Sequence, residues 1–428
     1  MPRGLLVIFT GLITSLFLFP FNLPIPDVEI NTKLIMAVFG AGLFLLDRIQ
    51  KGPVVSRGFL GLTILCATIS VWGFFVTMIN GTSDSSFAKY LISVLVWLSA
   101  AYAVYWLMRA VHGDVSLELI SDYLIAVCTV QCLVAYGMTI WPSLASFIDG
   151  LMGEGEAFMS ATEGRLHGLG AALDPAGLRF SAVLVAIAYL LTRLDYENDS
   201  WKAVLYLTEF TIVTVLGNMI ARTTTIGNIV AIALFIFLKW PRDGRVILNR
   251  SWAILGGGLL VSIIISVLLY NMDSTFREYL RFGFEGFFSL AENGKWEVRS
   301  NELLKDMMVW PETLKTWIIG DGLFDSPDIP DRFGQVLGGF YMQTDIGYLR
   351  FIFYFGVIGL LGMISAFVYM TITCVRSFPQ HKWLFFSLLL INLLGWFKVS
   401  SDIIMVFAPF LILAFVKENE PTCISSTT

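Results

Sequence analysis

Four stretches of this 428-residue chain set arginine, histidine or aspartate among glycines in ways that suit chemistry on an anion or a hydroxyl. The first reads Gly164-Arg165-Leu166-His167-Gly168-Leu169-Gly170, followed by Leu173-Asp174-Pro175-Ala176-Gly177-Leu178-Arg179. Its glycines permit tight turns close to a ligand, and Asp174-Pro175 favours a turn before a helix. An Arg and a His held there can reach phosphate or sugar hydroxyls; the alternative is a membrane-surface loop with Arg165 and Arg179 facing lipid headgroups. The second stretch is Arg222-Thr223-Thr224-Thr225-Ile226-Gly227, a very short turn between two apolar segments. An Arg at bilayer depth is costly unless paired, while the threonines can cap the following helix, whose positive end favours an anion. Snorkelling of Arg222 to the interface is the bland alternative.

The third stretch is longer. In 275–290, Phe276, Leu280, Phe284 and Phe287 recur at helical spacing beside Arg277 and Arg281, as in a helix lying on a membrane. A second amphipathic stretch, 296–309, carries Arg299 and Lys305. Pro311 then opens a short helical turn through Leu314 and Trp317, stopped by Gly320-Asp321-Gly322. The fourth stretch, Gln343-Thr344-Asp345-Ile346-Gly347-Tyr348-Leu349-Arg350, enters a helix containing Gly356-Val357-Ile358-Gly359. Asp345 reads either as a helix N-cap or as a base that positions a hydroxyl. Arg350, set inside the apolar run, needs a partner or a cavity under both readings.

These residues must be positioned by membrane helices. Residues AVILMFWYC make up 56% of the chain and charged residues 14%, with a mean hydropathy of +0.75. So few charges cannot cover a water-soluble fold of this size. A net charge of −5 also argues against nucleic acid as a partner. Twelve segments approach the length needed to cross a bilayer: 4–22, 33–47, 58–79, 88–109, 118–141, 178–193, 202–219, 224–239, 251–270, 346–374, 382–398 and 402–416. The first lacks an Ala-x-Ala-like cleavage site and reads as a retained helix. With the N-terminus inside, half of the 28 Lys and Arg residues fall in inner loops, which predicts cytoplasmic N- and C-termini. Two long loops, 142–177 and 271–345, then lie outside as ordered segments bearing the amphipathic helices. The expected architecture is an all-α integral membrane protein of about twelve transmembrane helices, one polytopic domain over 1–416, with a short cytoplasmic tail at 417–428. Cys66, Cys128, Cys132, Cys374 and Cys423 fall in helices or inside, so no disulfide is expected outside; Cys128 and Cys132 read as packing. His167 is the one outer histidine, which excludes a multi-His metal site there.

Taken in order, these pieces resemble the bacterial O-antigen polymerases and the related O-antigen ligases, which are similar to the C-type glycosyltransferase superfamily. The stretches that carry the likeness are 165–168 with Asp174-Pro175, 222–227, Arg299 before Ile319-Gly320-Asp321-Gly322, and 345–349 before the Gly-x-x-Gly helix. Ligases of the family typically place a His-Asn pair where this chain reads Thr344-Asp345, so the likeness favours a polymerase. It implies a membrane glycosyltransferase in the bacterial inner membrane with its active site facing the periplasm. Donor and acceptor would both be polyprenyl-pyrophosphate-linked glycans, with a chain-length regulator as a further partner. The resemblance implies catalytic roles for Asp345, Arg222 and Arg299, and pyrophosphate or substrate binding by Arg165, His167, Arg222, Arg281 and Arg299. It requires no metal or cofactor, in keeping with the lack of a Walker-type loop or dinucleotide fingerprint. The competing readings are a ligase acting on lipid A–core and, in a different class, a lipid-linked oligosaccharide transporter or flippase.

Overall fold

A computed structural model describes residues 2–25, 30–52, 55–153, 162, 164–195, 198–240, 250–326 and 339–419. Cys423 and the tail from 420 lie outside the described residues. The described chain is helical: α1 (Arg3–Leu18), α2 (Thr32–Lys51), α3 (Arg57–Asn80), α4 (Tyr90–His112), α5 (Leu117–Ile140), α6 (Pro142–Leu151), α7 (Leu173–Arg193), α8 (Ser200–Ile220), α9 (Thr224–Lys239) and α10 (Arg250–Met272). The order continues with α11 (Ser274–Gly283), α12 (Glu285–Asn293), α13 (Arg299–Asp306), α14 (Leu314–Ile318), α15 (Gly347–Ser377), α16 (Lys382–Gly395) and α17 (Ile404–Asn419). Each of the twelve apolar segments coincides with one of these helices. Six of them, α3, α4, α5, α7, α8 and α15, are long and apolar enough to cross a membrane; α1, α9 and Gly256–Met272 are shorter apolar helices. Their outer faces carry exposed Ile64, Val71, Phe74, Ile92 and Ile229, a surface suited to hydrocarbon rather than water.

The helices form two compact units. The first comprises 1–33, 118–306 and 386–403. At its centre, every residue of α7 from Ala176 to Leu191 is buried, as expected of a helix that is apolar on all sides. It meets α9 at glycines that leave no room for a side chain. A Cβ on Gly177 would lie 2.0 Å from the Thr223 hydroxyl, and one on Gly227 would lie 2.2 Å from the Ser181 backbone. Ser181 closes the contact, donating to the Thr223 carbonyl at 2.9 Å and accepting from the Gly227 N–H at 3.1 Å. Gly177 therefore serves helix packing, not ligand approach. Cys128 and Cys132 are buried in packing on α5.

The second unit comprises 34–117, 307–385 and 404–428. Its long helix α15 is broken at Phe355 and Gly356, where Gly356 has φ 69 and ψ −176. The break frees carbonyls, and the Gly320-Asp321-Gly322 turn fills them: Asp321 N–H donates to Phe353 O at 2.6 Å and Gly322 N–H to Tyr354 O at 2.9 Å. Trp72 Nε1 donates to Phe355 O at 2.9 Å. The two glycine motifs of the sequence are thus the halves of one helix-break device.

The short turn before it is Leu314–Ile318, capped by Thr313 rather than started at Pro311; the Thr313 hydroxyl accepts from Thr316 N–H at 3.1 Å. Replacing Gly356 with Ala would place a Cβ 2.0 Å from Ile318 O at a positive φ. The expected loss is roughly 1–3 kcal/mol, seen as a lower melting temperature in detergent. Gly256→Ala, with open space around it, should not lower it. Equal melting temperatures for wild type and Gly356→Ala would contradict the account of the break.

Candidate functional site

The first unit holds the arginine turn at the junction of α8 and α9. The threonines do not cap α9; its N-cap Thr223 makes no side-chain cap bond. Their hydroxyls are drawn elsewhere. Thr224 donates to Gly217 O at 3.0 Å, Thr225 to Asn218 Oδ1 at 2.7 Å, and Thr223 to Asp174 Oδ1 at 3.0 Å. Lys398 Nζ reaches the same Asp174 oxygen at 2.9 Å. Two of these bonds run back to the last turn of α8 and one to the first turn of α7, so the turn that carries Arg222 is tied on both sides.

Arg222 meets a four-part seat. Its Nε donates to Phe282 O at 2.9 Å and Nη1 to Ser300 Oγ at 3.2 Å. Nη1 also lies 2.8 Å from Glu285 Oε2, and the guanidinium sits 4.2 Å from the Phe282 ring centroid. The planar fork suits this set, since it can stack on the ring and donate sideways together. Two features of α11 and α12 make the seat. Gly283 lets α11 press against the α8 backbone, where a Cβ would lie 3.0 Å from Asn218 C and O. The expected continuous helix over 275–290 instead breaks at Phe284 (φ −118, ψ 30), which makes Glu285 the first residue of α12. A carboxylate is favourable at that helix end.

Around Arg222 opens a cavity of about 900 Å³, lined among others by Arg165, Arg281, Arg299, Ser300, Glu285 and Glu292. All four predicted substrate-binding arginines, Arg165, Arg222, Arg281 and Arg299, therefore line one space. Arg165 is brought there by Leu166, whose N–H donates to Met219 O at 3.2 Å; its guanidinium shares the Phe282 ring at 5.2 Å. Among the described residues neither Arg165 nor Arg299 forms a side-chain salt bridge. Arg281 is engaged by a bidentate pair with Glu292, at 2.7 and 2.8 Å, which raises the Arg281 pKa and lowers that of Glu292. The Arg222 pKa is lowered, first by burial and then by repulsion from Arg165 and Arg299, against the opposing pull of Glu285 and Asp174. An incoming anion would relieve that repulsion.

A second cavity, of about 630 Å³, shares Arg222, Glu285 and Ser300 with the first. Its other walls are largely apolar, including Phe210, Ile226, Ile229, Ile232, Phe287, Trp296, Leu394 and Phe397. Arg222 thus stands where a charged space meets a greasy one.

The remaining predicted residues fall elsewhere. His167 is not in the arginine cavity's wall; its Nε2 lies 3.1 Å from Asp149 Oδ1 of α6. Arg179 faces no headgroup: it is 8% exposed and sits over the Phe19 ring at 5.3 Å. Asp345 belongs to the second unit. It is half-buried and is not the cap of α15, which starts at Gly347 after Ile346; the Thr344 hydroxyl accepts the Ile346 N–H at 3.3 Å. Arg350 does find its partner, Asp325 at 2.8 Å, with its guanidinium 3.5 and 3.9 Å from the Phe324 and Phe340 rings. Sequence reasoning missed Glu285, Phe282, Ser300 and Lys398. The usable signal for Glu285 was a carboxylate four residues after Arg281 inside an aromatic-rich amphipathic stretch.

If the cavity is an anion site, purified protein should bind inorganic pyrophosphate, measured by calorimetry in detergent. Arg222→Gln should weaken binding about tenfold or more, some 1.4 kcal/mol, and Glu285→Gln should tighten it by removing the resident carboxylate. Unchanged affinity in Arg222→Gln would remove Arg222 from the site. No protein-family model matches the chain, and no curated protein or solved structure is similar to it.

Proposed function

We propose that the protein is a membrane glycosyltransferase of O-antigen polymerase type, joining polyprenyl-pyrophosphate-linked repeat units on the periplasmic face of a bacterial inner membrane. The observation that carries this reading is the position of Arg222, shared by an arginine-lined cavity and an apolar one. A lipid-linked pyrophosphate has the same two-part chemistry: a dianionic head joined to a hydrocarbon chain. In this reading the pyrophosphate lies among Arg165, Arg222 and Arg299, and the first prenyl units lie between α9 and the 284–304 segment. The full architecture proposed with it has about twelve spans, with both termini cytoplasmic.

In the reaction, a sugar hydroxyl of the acceptor unit attacks the anomeric carbon of the donor glycan. The new C–O bond forms as the bond to pyrophosphate breaks, and polyprenyl pyrophosphate departs with the bonding electrons. Negative charge grows on the leaving group, where fixed guanidinium donors stabilise it most. Phe282 and Ser300 keep the Arg222 fork aimed, and Glu285 occupies its free edge until the phosphate arrives. The hydroxyl proton passes to a base of the protein. The activated lipid supplies the driving force.

Deleting the gene and displaying the cell's lipopolysaccharide on a gel tests the reading. A polymerase mutant keeps lipid A–core with a single repeat unit and loses the ladder. Loss of both, with accumulation of lipid-linked polymer, identifies a ligase instead, and an unaltered ladder overturns both enzymes. Arg222→Ala should abolish the ladder at unchanged protein level, and Arg222→Lys should impair it, because a point charge cannot stack and fork together.

A further inference from the structure

A second charged cavity, unrelated to the arginine turn, lies in the second unit. The N-terminus of α3 and the C-terminal ends of α15 and α17 meet around a space of about 480 Å³ lined by Arg57, Arg376, Lys417, Glu418, Tyr369 and Thr373, among others. Three cations thus face one carboxylate. Glu418 Oε2 already accepts the Gly58 N–H at 3.0 Å. Lys417 Nζ rests 4.6 Å from the Phe378 ring. Among the described residues none of the three cations forms a salt bridge.

Cations at the ends of α15 and α17 are explained by the helix dipole alone. Arg57 is not. It stands in the first turn of α3, where the dipole disfavours a positive charge, and it adds to two cations already gathered there. Such a concentration calls for an anion. The helix surfaces leading away from the cavity are apolar: Leu60 and Ile64 follow Arg57 at helical spacing on α3, Ile372 precedes Arg376 by one turn on α15, and all three are exposed. The seam between the two helices is closed by Tyr369, whose hydroxyl occupies the place a Cβ on Gly61 would take. A phosphate head with acyl chains laid along these faces satisfies both features, whereas a free anion uses only the first.

We propose that this cavity binds the headgroup of an anionic glycerophospholipid, such as phosphatidylglycerol, in the leaflet that contacts these helix ends. The site is independent of the glycan reading and does not involve Arg222. Full-length protein in detergent, titrated with phosphatidylglycerol or phosphatidylcholine and observed by native mass spectrometry, should retain the anionic lipid about tenfold better. Arg57→Gln/Arg376→Gln/Lys417→Gln should lose that preference, and Glu418→Gln should strengthen it. A wild-type melting temperature and a single size-exclusion peak in detergent report that the triple variant is folded. Retained preference in a folded triple variant, equal binding of phosphatidylcholine, or displacement of the lipid by millimolar inorganic phosphate would each overturn the proposal; the last would mark a site for a soluble anion. A triple variant that fails to fold leaves the test to Glu418→Gln, for which an unchanged preference is the contrary result.

Discussion

The contact between Arg222 and the Phe282–Glu285 corner fixes the arginine turn of the first unit. A guanidinium at the end of two apolar helices loses much of its hydration, and that loss is costly unless other groups replace the water. Here a ring face, a backbone carbonyl, a hydroxyl and a carboxylate replace it together. They belong to Phe282, Glu285 and Ser300, so the interaction ties the α8–α9 turn to α11, α12 and the start of α13. Only one partner, Glu285, carries charge, and it is a third exposed. The seat is therefore one that an anion from solvent could enter by displacing a single side chain.

Upstream of that contact, the packing of α7 against α9 sets where the turn can be. Gly227 and Ser181 bring the helices to backbone contact, and Gly177 makes room for the Thr223 side chain. Asp174, in the first turn of α7, then binds both Thr223 and Lys398, so the arginine turn is anchored on its other side as well. Gly177, expected to let the chain approach a ligand, instead fixes the distance between α7 and the arginine turn. A rigid frame of this kind suits the proposed reaction, in which guanidinium groups are held in place before charge develops.

Much of this was legible in the sequence, and the rest failed for identifiable reasons. Helix positions followed from apolar run length, and Arg222 stood out because a cation in a very short turn between two apolar segments is costly unless paired. The break at Phe284 was invisible, since the periodicity of Phe276, Leu280, Phe284 and Phe287 fits an unbroken helix equally well. The Arg222–Glu285 pair spans more than sixty positions, and no local pattern encodes it. The threonines looked like caps because only three-dimensional placement shows that Gly217 and Asn218 compete for their hydroxyls. Likewise Gly320-Asp321-Gly322 and Gly356 each read as ordinary turn or packing glycines; the device they form together depends on α15 breaking at Gly356.

The central claim is that Arg222 marks the boundary between the head and the tail of one lipid-linked substrate. Photocrosslinking with a short-chain polyprenyl pyrophosphate carrying a diazirine in its first prenyl units tests it most directly, with the adducts mapped by peptide mass spectrometry. Adducts are expected on α9, around Ile229 and Ile232, and on the 284–304 segment, all suppressed by excess unlabelled lipid and lost in Arg222→Gln. Specific, competable labelling confined to other helices, or labelling undiminished in Arg222→Gln, would contradict it.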